Sequence, residues 1–363
     1  MAGRRGVWMI LVSTVATPIL LSAAPAATMA ATGGGRMAAT PALATNATET
    51  GLVELTNGTL VVTIVPALGG RVVSLKTRSG ENLLDSDPAL WKPPYPAASL
   101  DTPFQPRNGR IVWVGPQSAF WSQQELRPDR KTTKAVWPPD PFNETGRFEV
   151  VERTPTLLRL KGGVSPVSGL GFEHEFELTG ERTIRMKTTA TNGRATPVAW
   201  DLWPNTRVRP EGHPYVPIDP MQMLRVGGPP QADSRLGPYP NSMRNGWLTL
   251  APGKKPGDFG RKKLWSKVYV RPAHGLIAYF LGRQLLLIRA PLVPRQELHG
   301  EQAAIEVYRS VDKKESLLEL EMHGPYETLA PGASMSFEQT FELLDYEGPQ
   351  DEDGHLARLQ ELR

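Results

Sequence analysis

Residues 51–84 read GLVELTNGTLVVTIVPALGGRVVSLKTRSGENLL and constrain the fold more than any other stretch of the 363-residue chain. Two short alternating runs, LVVTIV and RVVSL, flank PALGG. Strand side chains alternate between faces, so each run has an apolar face to bury. Asn57-Gly58 before the first run is a preferred pair for a tight hairpin turn. Ser79-Gly80-Glu81-Asn82 after the second run reads as another turn. Gly69 and Gly70 permit positive φ or close backbone approach where the chain bends between the runs. The pattern predicts consecutive antiparallel strands.

The rest of the chain continues in the same way. Strand-like runs recur at 148–153, 156–162, 171–178, 183–192, 197–203, 276–282, 284–291, 303–310, 316–323 and 334–344. The 35 prolines and 34 glycines work against long helices. Only HLARLQEL at 355–362 reads as a helix. Short strands separated by turns predict an all-β antiparallel sandwich. One domain is expected over 51–345, followed by a tail at 346–363 with the short helix. Two long regions, 85–147 and 204–268, show no clear strands and gather Trp91, Trp113, Trp121, Trp137, Trp247 and Trp265. Loops this long are often functional. Their aromatics either meet a pyranose ring or pin the loops to a sheet.

Residues 1–30 read as an export signal. Arg4-Arg5 heads an apolar stretch, and Ala24-Pro25-Ala26 fits a cleavage site. The alternative is a membrane anchor, for which the apolar stretch is short. Residues 31–50 are rich in Ala, Thr and Gly and read as a disordered leader. A periplasmic or secreted bacterial protein is expected, with no integral membrane segment after cleavage. The chain has no cysteine, so it carries no disulfide and no thiolate metal site. Lysine and arginine number 41 against 37 acidic residues, and Arg261-Lys262-Lys263 is the densest basic cluster. Nucleic-acid binding would need a concentrated basic face, so it is not expected. No P-loop, dinucleotide fingerprint or nucleophile elbow is present, and no cofactor is expected. The histidines lack metal-ligand spacing, so no metal is expected. His174, within GFEHEFEL, lies opposite its two acidic neighbours on what reads as a surface strand.

The opening stretch resembles that of galactose mutarotase-like (aldose 1-epimerase-like) proteins. There an N-G-x-L strand leads to P-x-x-G-G-R-[IV]-x-S-L and then G-x-N-L. The segment LLELEMHGPYETLAPGASMSFEQTFEL (317–343) resembles the end of the same family: a glutamate-bearing strand, a loop with Pro, L-x-P-G-x, and a final strand. The resemblance covers about 50–345 and points to a diverged, uncharacterised (domain of unknown function) branch. It implies a large antiparallel β-supersandwich whose concave face holds a saccharide ligand.

What the resemblance implies for the site is partial. The family's general base falls on Glu321 or Glu319, which share a strand face; Glu321 lies nearer the Gly324-Pro325 loop. In the stretch TTATNGRATPVAWDLWPN (188–205), Asp201 stands where the family has its acid histidine. Trp203 stands at its tyrosine and Asn205 at its asparagine. A second family histidine has no counterpart in 109–126, which offers Arg110, Trp113, Gln117, Trp121 and Gln123. Arg71 is implied near the sugar, with a surface ion pair as the alternative.

Anomer interconversion needs a base for the C1 hydroxyl and an acid for the ring oxygen. Histidine suits the acid because its ordinary pKa is near 6.5. Asp201 would need its pKa raised to donate at neutral pH; otherwise it accepts a sugar hydroxyl or caps a turn. His323, two residues past Glu321, is the histidine best placed to replace the missing acid. Two carboxylates can also support glycoside hydrolysis. Three readings stay open: an aldose epimerase with a substituted acid, a noncatalytic saccharide-binding protein, and an envelope interaction protein.

Overall fold

The computed structural model describes residues 51–218, 225–226, 240–254 and 264–362. The expected signal segment, the leader and the 261–263 basic triplet lie outside them. In chain order the strands are β1 (Val53–Thr56), β2 (Leu60–Val65), β3 (Arg71–Thr77), β4 (Arg110–Gly115), β5 (Glu149–Arg153), β6 (Leu157–Val164), β7 (Leu170–Gly180), β8 (Thr183–Asn192), β9 (Val198–Val208) and β10 (His213–Pro217). They continue as β11 (Arg225–Val226), β12 (Asn241–Arg244), β13 (Trp247–Leu250), β14 (Leu264–Val270), β15 (Leu276–Leu281), β16 (Gln284–Arg289), β17 (Ile305–Val311), β18 (Ser316–Met322), β19 (Glu327–Leu329) and β20 (Ser334–Asp345). Short helices α1 (Pro128–Thr132) and α2 (Pro141–Thr145) interrupt them, and α3 (Glu352–Glu361) follows.

The strands form two antiparallel sheets. The first runs β1-β2-β3-β4-β9-β18-β17-β14-β11, with β19 paired to β9 off this path. The second runs β12-β13-β10-β15-β16-β20-β8-β7-β6-β5. Alternation buries one face of each against the other. Val62, Leu75, Leu202, Leu318 and Leu320 from the first sheet join Phe172, Phe176, Met186, Phe341 and Leu343 from the second in one apolar cluster. Burying each such side chain contributes about 1.5–3 kcal/mol. The architecture is the expected antiparallel β-sandwich.

The two regions without strand signals do contain strands: β4 lies in the first, and β10 and β12–β14 lie in the second. The expectation of long structureless loops is corrected there. Among the described residues no helix is long and apolar enough to cross a membrane.

Two local features aim the first sheet's outer face. Thr63 pairs with Ser74 but Ile64 pairs with Val72, so Val73 is an extra residue in β3. This bulge moves Arg71 from the core face to the outer face. Just before it, Gly69 and Gly70 have φ of +70° and +65°. A Cβ on Gly69 would overlap the Asn143 carbonyl, so glycine lets the α2 segment close over β3.

Candidate functional site

Cross-strand register assembles a polar patch on the outer face of the first sheet. Asn205 on β9 opposes Glu321 on β18, Glu321 opposes Glu306 on β17, and Glu306 opposes Tyr269 on β14. The next row is Arg207, Glu319, Tyr308 and Lys267. Trp113 on β4 opposes Trp203 on β9. Opposed residues share a face and touch. Apart from the partly exposed Tyr269 and Tyr308, these side chains are buried.

Lys267 sits at the centre. Its Nζ lies 2.5 Å from Glu306 Oε2 and 2.7 Å from Glu321 Oε2. Trp203 Nε1 donates to Glu321 Oε2 at 3.2 Å, and Asn205 Nδ2 lies 3.5 Å from Glu321 Oε1. The Trp203 ring also stacks on His323, with centroids 5.1 Å apart. His323 Nδ1 is 2.9 Å from Asp201 Oδ2 and 2.9 Å from the Gln302 amide, while its Nε2 is 3.5 Å from Glu306 Oε1. Gly115 makes room for this arrangement: a Cβ there would overlap Asp201 Oδ1 and Gln302 Nε2.

A second network adjoins the first. Arg71 binds Glu144 at 2.5 Å and the Asn108 carbonyl at 2.6 Å. Trp113 Nε1 donates to the other Glu144 oxygen at 2.7 Å. Arg207 binds Glu319 at 2.7 Å and Asn108 Oδ1 at 2.8 Å. Trp113 meets Trp203 edge-to-face at 5.4 Å, which joins the two networks.

Burial and charge divide the protons unevenly. Burial opposes charge on Glu306, but Lys267 and His323 outweigh it and hold the carboxyl down to about 2. Burial pushes Glu321 up to about 8, with Glu319 and Glu306 adding to the shift against the opposing pull of Lys267. One ammonium serves two carboxylates, and Glu306, which also faces His323, keeps the charge. Burial opposes charge on His323 too, yet Glu306 and Asp201 raise it to about 9. At neutral pH the cluster therefore holds an imidazolium beside a carboxyl poised to titrate. Such perturbed pairs mark sites of proton chemistry.

Glu306, Glu321 and His323 place one ligand atom each within 4.8 Å of one another, a spacing that can hold a metal ion. Lys267, bound to both carboxylates, already supplies a cation there.

A family profile described as domain of unknown function DUF4380 matches residues 51–344. The chain belongs to this family. No curated protein matches the chain by sequence. Among solved structures, a candidate aldose 1-epimerase from Klebsiella pneumoniae superposes with a TM-score of 0.50 at 13% identity, covering 84% of this chain and 80% of that one. A candidate aldose 1-epimerase from Escherichia coli K12 gives 0.46 at 15% identity, covering 81% and 99%. A galactose mutarotase-like protein from Lactobacillus casei gives 0.48 at 13% identity, covering 81% and 100%. At 13% identity the superposition on the Klebsiella structure establishes the fold alone, the galactose mutarotase-like β-sandwich.

In this DUF4380 chain the implied site residues separate into groups. Glu321, Glu319, Asp201, His323, Trp203, Asn205, Trp113 and Arg71 share the outer-face patch. Asp201 pairs with His323 rather than standing alone. Arg71 is a buried ion-pair partner of Glu144, not a surface arginine. Arg110 points the other way, into the space between the sheets, where it binds Gln339 at 2.9 Å and lies over Phe341. Gln117 and Trp121 pin the following loop through the carbonyls of Val136 and Pro138. His174 corrects its surface expectation: it is buried, 2.9 Å from Thr188 Oγ1, and burial drives its pKa down to about 3.

Lys267, Glu306, Gln302, Arg207 and Glu144 escaped sequence reasoning. The only signal was a lone charge within an apolar alternating strand, as in KVYV (267–270) and IEVY (305–308). Such a charge needs a buried partner, and sequence does not name it.

Proposed function

We propose that this chain is an exported saccharide-binding protein whose outer-face cluster exchanges protons with a sugar at its anomeric carbon, as an aldose 1-epimerase-type isomerase. The observation that carries this reading is the meeting of Glu321 and His323 on one tryptophan: Trp203 donates to the first and stacks on the second. Both groups also border Glu306 or its bound Lys267, so a proton moved at one is felt at the other. Export rests on the first 30 residues.

In this reading the ionised form of Glu321, the minor form until the pH nears 8, takes the proton from the C1 hydroxyl as the bond from C1 to the ring oxygen breaks. The His323 imidazolium gives its proton to that oxygen. The open aldehyde turns about C1–C2, and closure reverses both transfers to give the other anomer. Asp201 orients His323. Arg71 acts through Glu144 on Trp113 and is a positioning residue. The positive groups Lys267, Arg71, Arg207 and His323 are matched by neighbouring carboxylates, which suits an uncharged, hydroxyl-rich ligand.

A noncatalytic saccharide-binding role is the second reading. It is favoured by the near-complete burial of Glu321 and by its bond to Lys267, which occupies one of its two carboxylate oxygens. NMR with a panel of aldoses separates the two by recording saturation transfer and anomer exchange together. Exchange faster than buffer, reduced about 10²–10⁴-fold in Glu321→Gln, supports catalysis. Saturation transfer without exchange supports binding alone, and silence on every sugar removes both.

A further inference from the structure

A cavity of about 1060 Å³ opens over β1–β3, away from the proton cluster. Small-molecule clefts run to about 1,000 Å³, so it is large enough to hold a ligand. Its floor is the outer face of the first sheet. Glu54 opposes Thr63, and Thr63 opposes Ser74, which makes a row of one carboxyl and two hydroxyls. Lys76 follows on β3.

The overhang is rigidly held. The Asn82 side chain accepts from Leu75 N at 2.9 Å and Leu84 N at 3.1 Å, and donates to the Val73 carbonyl at 3.0 Å. Trp91 adds an aromatic surface to the wall. Arg209, bound to Glu81 at 2.6 Å, lines another side.

We propose that this cavity is a second saccharide-binding site, separate from the cluster at Glu321, and that it takes an uncharged sugar. The acids Glu54, Glu81 and Asp85 equal in number the bases Lys76, Arg153 and Arg209 around it. The wall therefore presents donors and acceptors in quantity with no net charge to select an ion. Hydroxyl groups use both kinds of partner, and a pyranose also has an apolar face for Trp91.

No lining residue belongs to the proton cluster. The two places share one partition: Asp85 in the cavity wall accepts from Asn108 Nδ2 at 2.9 Å, and Asn108 in turn accepts from Arg207, the partner of Glu319. The choice of sugar as ligand class rests on the saccharide-binding reading above, whereas the position of the site does not.

Titration calorimetry and saturation-transfer NMR of the full chain test the site, with D-glucose, D-galactose, cellotriose and maltotriose as probes. The variants are Trp91→Ala, Thr63→Trp and Glu321→Gln, each checked for wild-type thermal unfolding. Thr63→Trp fills the cavity from the sheet side and is expected to remove one sugar equivalent per chain. Trp91→Ala is expected to weaken that equivalent about tenfold, as loss of one aromatic platform implies. Glu321→Gln is expected to leave it in place. Sugar binding that both cavity variants leave unchanged overturns the second site and spares the reading of the cluster. Failure of all four probes to bind the wild-type chain overturns both.

Discussion

Two strands carry the same acidic pattern with opposite outcomes. β18 holds Glu319 and Glu321 around Leu320, and β7 holds Glu173 and Glu175 around His174. Each pair lies on the outer face of its sheet. On β7 the glutamates meet Lys161, Arg159 and Arg185 in ion pairs open to water. On β18 they meet Arg207 and Lys267 in ion pairs shut away from it. The difference is cover. Asn108 and Glu144 close over the first sheet, and Phe104 and Trp137 pack beside Trp113 and Arg207. Exposed pairs contribute roughly 0–1 kcal/mol. Buried clusters are costly to desolvate and weak as a source of stability. Charges kept in that condition point to chemistry, and that is where the chain holds a carboxyl near 8 and an imidazole near 9.

The largest expected effect comes from removing the central cation. Lys267→Met strands Glu306 and Glu321 beside each other and is expected to destabilise the fold by about 3–5 kcal/mol. Adding Glu321→Leu should recover part of that loss, because the remaining carboxylate, Glu306, still faces His323. Denaturant unfolding with matched slopes measures both. A loss below about 1 kcal/mol, the range of exposed pairs, would erase the contrast between the two faces.

Gly115→Ala should come next, at about 1–3 kcal/mol for overpacking. The new methyl group collides with Asp201 and Gln302, so the His323 pKa should fall as well. Histidine NMR titration reads this directly. An unchanged His323 alongside the stability loss would show that Asp201 does not control that imidazole.

The comparison extends to a third buried histidine. His355 on α3 stacks on Phe280 at 4.0 Å and lies 2.8 Å from the Tyr215 hydroxyl. Burial, aided by His213, drives it down to about 4. Its folded-state pKa is below the ordinary 6.5, so the stability it contributes is complete above 6.5 and is lost as pH falls toward 4. His323 is raised to about 9, so its contribution is complete below 6.5 and is lost as pH rises through 9. The pH dependence of unfolding should show both limbs. His355→Phe should reduce the acid limb, to which His174 and Glu306 also contribute, and His323→Gln the alkaline limb, to which Glu321 also contributes. An acid limb untouched by the first variant, or an alkaline limb untouched by the second, would break the assignment.

Much of the fold was legible because period-two alternation survives wherever one strand face is wet, as in β6, β7, β8 and β20. It vanished in β4, where RIVWVG is buried at every position, and in β10, where HPYVP carries two prolines. The face of Arg71 was hidden by the bulge at Val73, since a single extra residue reverses which side chains point outward. Glu319 and Glu321 were legible as a pair sharing a face. Their burial was not, because the covering residues come from segments about 180 to 215 positions away, as Asn108 and Glu144 do. Only resemblance to a family separated β18 from β7. The Lys267–Glu306 pairing spans two strands whose register no local pattern encodes.

Arg185 offers the smallest and sharpest test of cover as the deciding variable. It meets more carboxylates than Lys267 does: Glu175 on β7 at 2.6 Å, Glu177 on the same strand, and Glu338 on β20 at 3.0 Å. Counted by partners, it should matter more. Its side chain keeps 28% of its exposure, however, against 10% for Lys267. Water already solvates the carboxylates that Arg185→Ala would leave behind, so the loss is expected to stay below about 1 kcal/mol. That loss should shrink further in 1 M salt, where the screening length falls to about 3 Å. The cost of Lys267→Met should hardly change with salt, because no ions reach it. Urea unfolding of both variants at low and high salt yields the four numbers. If Arg185→Ala proves as costly and as insensitive to salt as Lys267→Met, the number of carboxylate partners outranks burial, and the outer face of the first sheet loses its claim to be the special one.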